Sequence, residues 1–237
     1  MTIKFTTVEE TTRQSGIKLV VYGKPKTGKT SLIASCPNPL IISAERGLLS
    51  LRALPTMVKT PVIEVHGMTE FNEVYEWCSK SADAKKYDTF CLDSITELAE
   101  VCLMEEKAKT LAKAKGGKPN NFEPYQELNT QIMAILRGFR DMPNKHILFI
   151  AQEEFDKDEN TGMTMYRPVM PGKQLTRQLP YTFDEIFQLV RFTAPDGSAY
   201  NGLRTVSDAQ NTAGDRSGRL APWEPADIQH IINKIIG

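Results

Sequence analysis

The chain has 237 residues, 41% of them hydrophobic, and its 29 lysines and arginines are balanced by 29 aspartates and glutamates. That length and apolar content suit one α/β domain with a sizeable core, while neutrality removes any global electrostatic attraction to nucleic acid or membrane. The cysteines Cys36, Cys78, Cys91 and Cys102 show no C-x-x-C spacing, and no apolar stretch approaches the roughly twenty residues that span a bilayer, so a reduced, cytoplasmic protein with no membrane partner is expected.

Residues 1–16 read as a polar lead without a secretory hydrophobic region, and residues 17–237 as the domain itself. The apolar run 17–22 predicts a first strand. It leads into Gly23-Lys24-Pro25-Lys26-Thr27-Gly28-Lys29-Thr30, which fits the phosphate-binding pattern G-x-x-x-x-G-K-[ST]. The glycines let backbone N–H groups face a β-phosphate, Lys29 is expected to reach the β- and γ-oxygens, and Thr30 to offer its hydroxyl to Mg²⁺. With Ser31 these residues form the expected nucleotide-binding set. A helix opening at Gly28 would add its positive dipole end.

Further strands are predicted at residues 40–43, 62–66, 89–92 and 147–151. Between them, Met68, Phe71, Val74, Tyr75 and Cys78 fall on one helical face, as do Ile95, Leu98, Ala99 and Cys102, and then Leu128, Ile132, Ile135, Leu136 and Phe139. Alternating strands and helices predict a mostly parallel sheet covered on both faces. Two polar, glycine- and proline-punctuated stretches, residues 114–123 and 153–172, read as exposed loops. Residues 186–192 and 200–206, joined by Pro195-Asp196-Gly197-Ser198, predict an antiparallel hairpin at the sheet's far edge. A helix bearing Ile228, Ile231, Ile232 and Ile235 closes the chain.

Three predicted strands end in residues with chemistry to offer. Asp93, after the run 89–92, stands where P-loop enzymes hold Mg²⁺, although Asp93 or Ser94 would also serve as the N-cap of the following helix. Glu45 ends the second strand on the side of the phosphate loop, as a general base or a solvated partner of Arg46. Glu97, one turn beyond Asp93, is the rival base. Gln152 ends the strand 147–151, where an amide would report the nucleotide state to the segment that follows or be satisfied by turn backbone.

Together these places resemble the RecA-like recombinase ATPases, and among them the short phage-encoded RecA-like proteins implicated in single-strand annealing. The phosphate loop, Glu45, Asp93-Ser94 and Gln152 occur in the family's order across residues 17–206. The resemblance implies a RecA-like fold, with the Gln152 strand between those of the phosphate loop and Asp93, and ATP and Mg²⁺ as cofactors. It also implies Glu45 as base, Asp93 as magnesium partner and Gln152 as a switch leading into a DNA-contacting loop. Single-stranded DNA, a single-stranded-DNA-binding protein and further copies of the chain are the implied partners, in a host bacterial cytoplasm.

A lysine run of Lys107, Lys109, Lys113, Lys115 and Lys118, and the later Tyr166 and Arg167, are weaker candidates for DNA contact, by phosphate tracking and base stacking. The run equally suits a solvated helix face. Lys173, Arg177 and Arg216 are candidates to reach a neighbouring subunit's γ-phosphate. A small-molecule phosphotransferase and a nucleotide-gated assembly module remain alternative functions, because the phosphate loop does not specify the acceptor.

Overall fold

The computed structural model describes residues 5–7, 16–45, 47–114, 118–157 and 162–237. In chain order, β1 (Lys18–Gly23), a 3-10 turn (Thr30–Ser35), β2 (Pro39–Ser43), α1 (Leu49–Arg52), β3 (Val62–Glu64) and α2 (Met68–Lys80) come first. Next are β4 (Thr89–Asp93), α3 (Ile95–Lys113), α4 (Glu123–Arg140), β5 (His146–Lys157), β6 (Thr164–Val169) and α5 (Lys173–Thr182). β7 (Glu185–Thr193), β8 (Ala199–Arg204), β9 (Gly214–Asp215), β10 (Trp223–Pro225) and α6 (Ile228–Ile236) complete the chain.

The described strands join one sheet in the order β10-β8-β7-β1-β5-β4-β2-β3, with β6 paired to β5 and β9 to β7. β3, β2, β4, β5, β1 and β7 run parallel. Their unbroken apolar character follows from burial on both faces. Val20, Tyr22, Leu40, Ile42, Phe90, Leu92 and Phe149 pack beneath α2, α3, α4 and α5. The residues of opposite parity, Leu19, Val21, Ile41, Cys91, Leu148 and Ile150, pack against the 3-10 turn and α6. The fold is therefore α/β with a mostly parallel central sheet flanked by helices, and β5 lies between β1 and β4 as expected. All four cysteines are buried free thiols.

The expected C-terminal antiparallel hairpin forms as β7 and β8 at one end of the sheet, with β7 also parallel to β1, Tyr22 opposite Gln188, and the short antiparallel β10 added beyond β8. Two expectations are corrected. Most of the described part of residues 153–172 is strand rather than loop: β5 continues past the sheet to Lys157 and pairs antiparallel with β6, Gln152 opposite Val169 and Lys157 opposite Thr164. The phosphate loop does not open a helix at Gly28 but a six-residue 3-10 turn at Thr30. Pro37 and Pro39 follow at once, and proline neither donates a helical hydrogen bond nor fits a helix interior.

Candidate functional site

The carboxyl ends of β1, β2 and β4 meet beside Gln152 of β5, because parallel strands in register come level with one another. Gly23 pairs with Gln152, and Ser43 with Asp93. A cavity of about 660 Å³ opens there, lined by the phosphate loop with Glu45, Asp93, Ser94, Gln152 and Glu153. Four sequence-distant segments are thus brought around a volume large enough for a nucleotide.

The loop requires its glycines for different reasons. A Cβ on Gly23 would come within 2.7 Å of the Leu189 carbonyl oxygen. Gly28 takes φ +92 and leaves only 3.0 Å between a built Cβ and Asn201 Nδ2, a backbone region that side chains rarely adopt. Thr27 Oγ1 donates to the Lys24 carbonyl at 2.8 Å, and Asn201 Nδ2 donates to the Thr27 carbonyl at 2.8 Å, pinning the loop from β8. Lys29 Nζ donates to the Gly23 and Lys24 carbonyls at 2.7 and 2.9 Å. Burial holds the Lys29 ammonium below its ordinary pKa, while Asp93, Glu153 and Glu45 act in the other direction.

Asp93 is 5% exposed. Burial pushes its carboxyl up to about 6, opposed by a hydrogen bond with Thr30; Glu45 raises it further and Lys29 lowers it. Two oxygens of the kind that suit Mg²⁺, the Thr30 hydroxyl and the Asp93 carboxylate, therefore stand side by side. Among the described residues no group of three or more His, Cys, Asp or Glu forms a metal cage, and Mg²⁺ characteristically takes one or two protein oxygens together with substrate phosphates. The glycine cradle, half-buried ammonium and paired oxygens fit a nucleoside triphosphate with its cation.

Ser94, not Asp93, is the N-cap of α3: its Oγ accepts from Glu97 N at 3.3 Å. The same hydroxyl donates to Glu45 Oε1 at 2.6 Å. Ser43 Oγ, at the end of β2, bonds the Asp93 carbonyl at 2.7 Å and accepts from Glu45 N at 3.1 Å. The carboxylate of Glu45 is thereby held over the cavity from two neighbouring strands. Glu97 does not line the cavity; its carboxyl is raised by burial and by the charges of Glu45 and Glu100.

Residues 15–217 match the family described as AAA domain. The chain belongs to that family. As an AAA domain it is an ATPase-type P-loop nucleoside triphosphatase. No curated protein sequence matches it. The crystal structure of the RadB recombinase is similar with a TM-score of 0.45 and 18% identity, over 84% of this chain and 93% of that one. No described helix of this AAA domain is long and apolar enough to cross a membrane.

The remaining candidates lie apart from the cavity. Lys109 is bound by Glu105 and Glu106 at 2.7 Å each, Lys113 by Glu123 at 3.3 Å, and Lys107 sits over the Tyr125 ring. Acids flanking the run thus match much of its charge; Lys118 is exposed. Lys115, like Arg46, lies outside the described residues. Arg167 bridges Glu154 at 2.8 Å and Asp156 at 3.0 Å across the β5–β6 ribbon. The Tyr166 ring faces Lys24 of the phosphate loop, with Nζ 5.6 Å from its centroid. Lys173 and Arg177 are exposed on α5, and Arg216 pairs with Asp184; none of the three lines the cavity.

Sequence reasoning missed three contributors. Thr96 Oγ1 accepts from Gln152 N at 3.0 Å and donates to the Val169 carbonyl at 2.8 Å, so one hydroxyl on the first turn of α3 ties both strands at the root of the ribbon. Glu153 reaches the cavity and accepts from Gln188 Nε2 at 3.0 Å. Asn201 holds the loop across 174 residues of chain. A polar asparagine within a strand, where its β-propensity is poor, was the available signal.

Proposed function

We propose that this AAA domain binds ATP with Mg²⁺, hydrolyses it, and uses the nucleotide state to control single-stranded DNA engagement in phage-type recombination or annealing. The observation that carries the reading is the meeting of the phosphate loop, Glu45, Asp93 and Gln152 around one cavity. Residues 23–31 receive the phosphates, and the Lys29 ammonium, already released from much of its hydration by burial, offsets charge on the β- and γ-oxygens. Thr30 and Asp93 hold Mg²⁺, which when bound neutralises phosphate charge and fixes the terminal phosphoryl group.

Glu45 is the general base. Water oxygen bonds to the γ-phosphorus, the bond from phosphorus to the bridging oxygen breaks to release ADP, and the water proton passes to the Glu45 carboxylate. Ser94 orients that carboxylate. Gln152 stands at the base of the β5–β6 ribbon, and its backbone is joined through Thr96 to the helix that follows Asp93. A change at the γ-phosphate thus has a short route into the ribbon, where Phe155, Met163 and Met165 are exposed.

Lys113, Lys115, Lys118, Tyr166 and Arg167 are the proposed DNA contacts, with Arg167 exchanging its carboxylates for phosphates. Lys173, Arg177 and Arg216 are proposed to approach a neighbouring copy's nucleotide in a homo-oligomer. A single-stranded-DNA-binding protein completes the partners, in the host bacterial cytoplasm. ATP hydrolysis measured with and without single-stranded DNA tests the reading: stimulation is expected, and a rate indifferent to saturating DNA contradicts the coupling.

A further inference from the structure

Among the described residues, three acids line the nucleotide cavity: Glu45, Asp93 and Glu153. Two of them are tied to residues of the site. Asp93 shares a hydrogen bond with Thr30, and Glu45 accepts from Ser94. Glu153 is held instead from β7, by Gln188 Nε2 at 3.0 Å, and a neutral amide leaves the charge of a carboxylate in place. That charge acts on the loop lysine: after burial, the strongest influences on the Lys29 ammonium are Asp93 and then Glu153, ahead of Glu45. The backbone explains the approach. Lys29 Nζ donates to the Gly23 carbonyl at 2.7 Å, Gly23 pairs with Gln152, and Glu153 is the next residue of β5.

A second cavity, of about 290 Å³, adjoins the first at Glu153, which lines both. Its charge is opposite. Lys24, Arg191 and Arg204 line it, and among the described residues Glu153 is the one acid on its wall. Arg204 donates to Asp208, while Lys24 lies 5.6 Å from the centroid of the Tyr166 ring. The half-buried Glu153 carboxylate therefore stands between an acidic cavity and a basic one, on a side chain whose staggered rotamers let it turn toward either.

ATP and ADP differ at the γ-phosphate, and only a group that interacts differently with the two ligands lets them shift an equilibrium differently. A γ-phosphate placed against Lys29 takes over the ammonium and repels a like charge held beside it. Gln152 is neutral and feels no such repulsion. Glu153 does feel it, and it belongs to the β5–β6 ribbon, opposite Pro168. We propose that Glu153 is the residue by which the ribbon distinguishes ATP from ADP: its carboxylate is the counter-charge of Lys29 in the nucleotide-free protein, and the γ-phosphate displaces it into the basic cavity. Its displacement moves the root of the ribbon, and loss of the γ-phosphate lets it return. Glu153 is thus a positioning residue that touches no reacting atom, and its assignment rests on the nucleotide reading above, not on the DNA reading.

The test is equilibrium titration of the full chain, with Mg²⁺, by ADP and by the β,γ-imido analogue of ATP. Wild type is compared with Glu153→Gln, which keeps the shape and the bond from Gln188 but not the charge. The same two proteins are also prepared with Phe155→Trp as a ribbon reporter, since Phe155 is 71% exposed on β5. In Glu153→Gln the triphosphate is expected to bind about three- to tenfold more tightly relative to ADP, and the reporter's response to triphosphate is expected to be largely lost. ADP affinity near that of wild type serves as the fold control. An affinity ratio that is unchanged or lowered, or a reporter response that survives the substitution at full size, overturns the proposal, while triphosphate binding by wild type leaves the nucleotide reading standing. Wild type that binds neither nucleotide overturns both.

Discussion

Asp93→Asn is expected to stabilise the nucleotide-free protein while removing its function. Burial pushes the Asp93 carboxyl from the ordinary 3.8 to about 6, so the fold prefers the protonated form. The unfolded chain ionises first as pH rises, and the folded state is therefore penalised progressively between about 4 and 6. The rise corresponds to about 3 kcal/mol at neutral pH. An asparagine keeps the shape and the hydrogen-bonding capacity toward Thr30 without the charge. In a domain of this size, about 3 kcal/mol amounts to a gain of roughly 6–12 °C in melting temperature. Thermal unfolding of both proteins from pH 4 to 8, without nucleotide or Mg²⁺, reads the effect directly. The difference is expected to grow through pH 4–6 and to level off above it. In the same window wild-type kcat/KM, which reports the nucleotide-free protein, should fall as the pH drops below about 6 and the carboxyl takes up its proton. A stability difference independent of pH, or an asparagine variant less stable at pH 7, refutes the reasoning.

Gly23→Ala would drive its Cβ to 2.7 Å from the Leu189 carbonyl oxygen; displacing the loop is expected to weaken ATP binding by about tenfold or more, read by titration with a fluorescent ATP analogue. Asn201→Ala removes the 2.8 Å bond to the Thr27 carbonyl, and one lost neutral hydrogen bond should weaken ATP binding about two- to tenfold; unchanged affinity removes Asn201 from the site. Ser94→Ala removes both the helix cap and the 2.6 Å bond to Glu45. It is expected to cost about 1 kcal/mol of stability and to lower kcat with little change in ATP affinity, which steady-state kinetics beside urea unfolding would separate.

The central strands were legible because a parallel strand covered on both faces is a continuous apolar run, as residues 17–22 and 147–151 are. The ends of those runs showed the site for the same reason: register brings Gly23, Asp93 and Gln152 to one edge without any side chain having to announce it. The β5–β6 ribbon was hidden because Glu153, Glu154 and Asp156 break the expected apolar alternation. Those acids are matched across the ribbon by Arg167 and from β7 by Gln188, partners that only the folded chain supplies. The span of the 3-10 turn was open to inspection in Pro37 and Pro39, which outweigh the usual helix after a phosphate loop.

ATP affinity of Lys29→Ala against wild type, measured by equilibrium titration in the presence of Mg²⁺, tests the account most directly. Lys29 is the half-buried ammonium at the floor of the loop, held by the Gly23 and Lys24 carbonyls. The expected result is saturable binding by wild type and binding abolished in the variant. Unchanged ATP affinity in Lys29→Ala would contradict the assignment of this cavity as the nucleotide site.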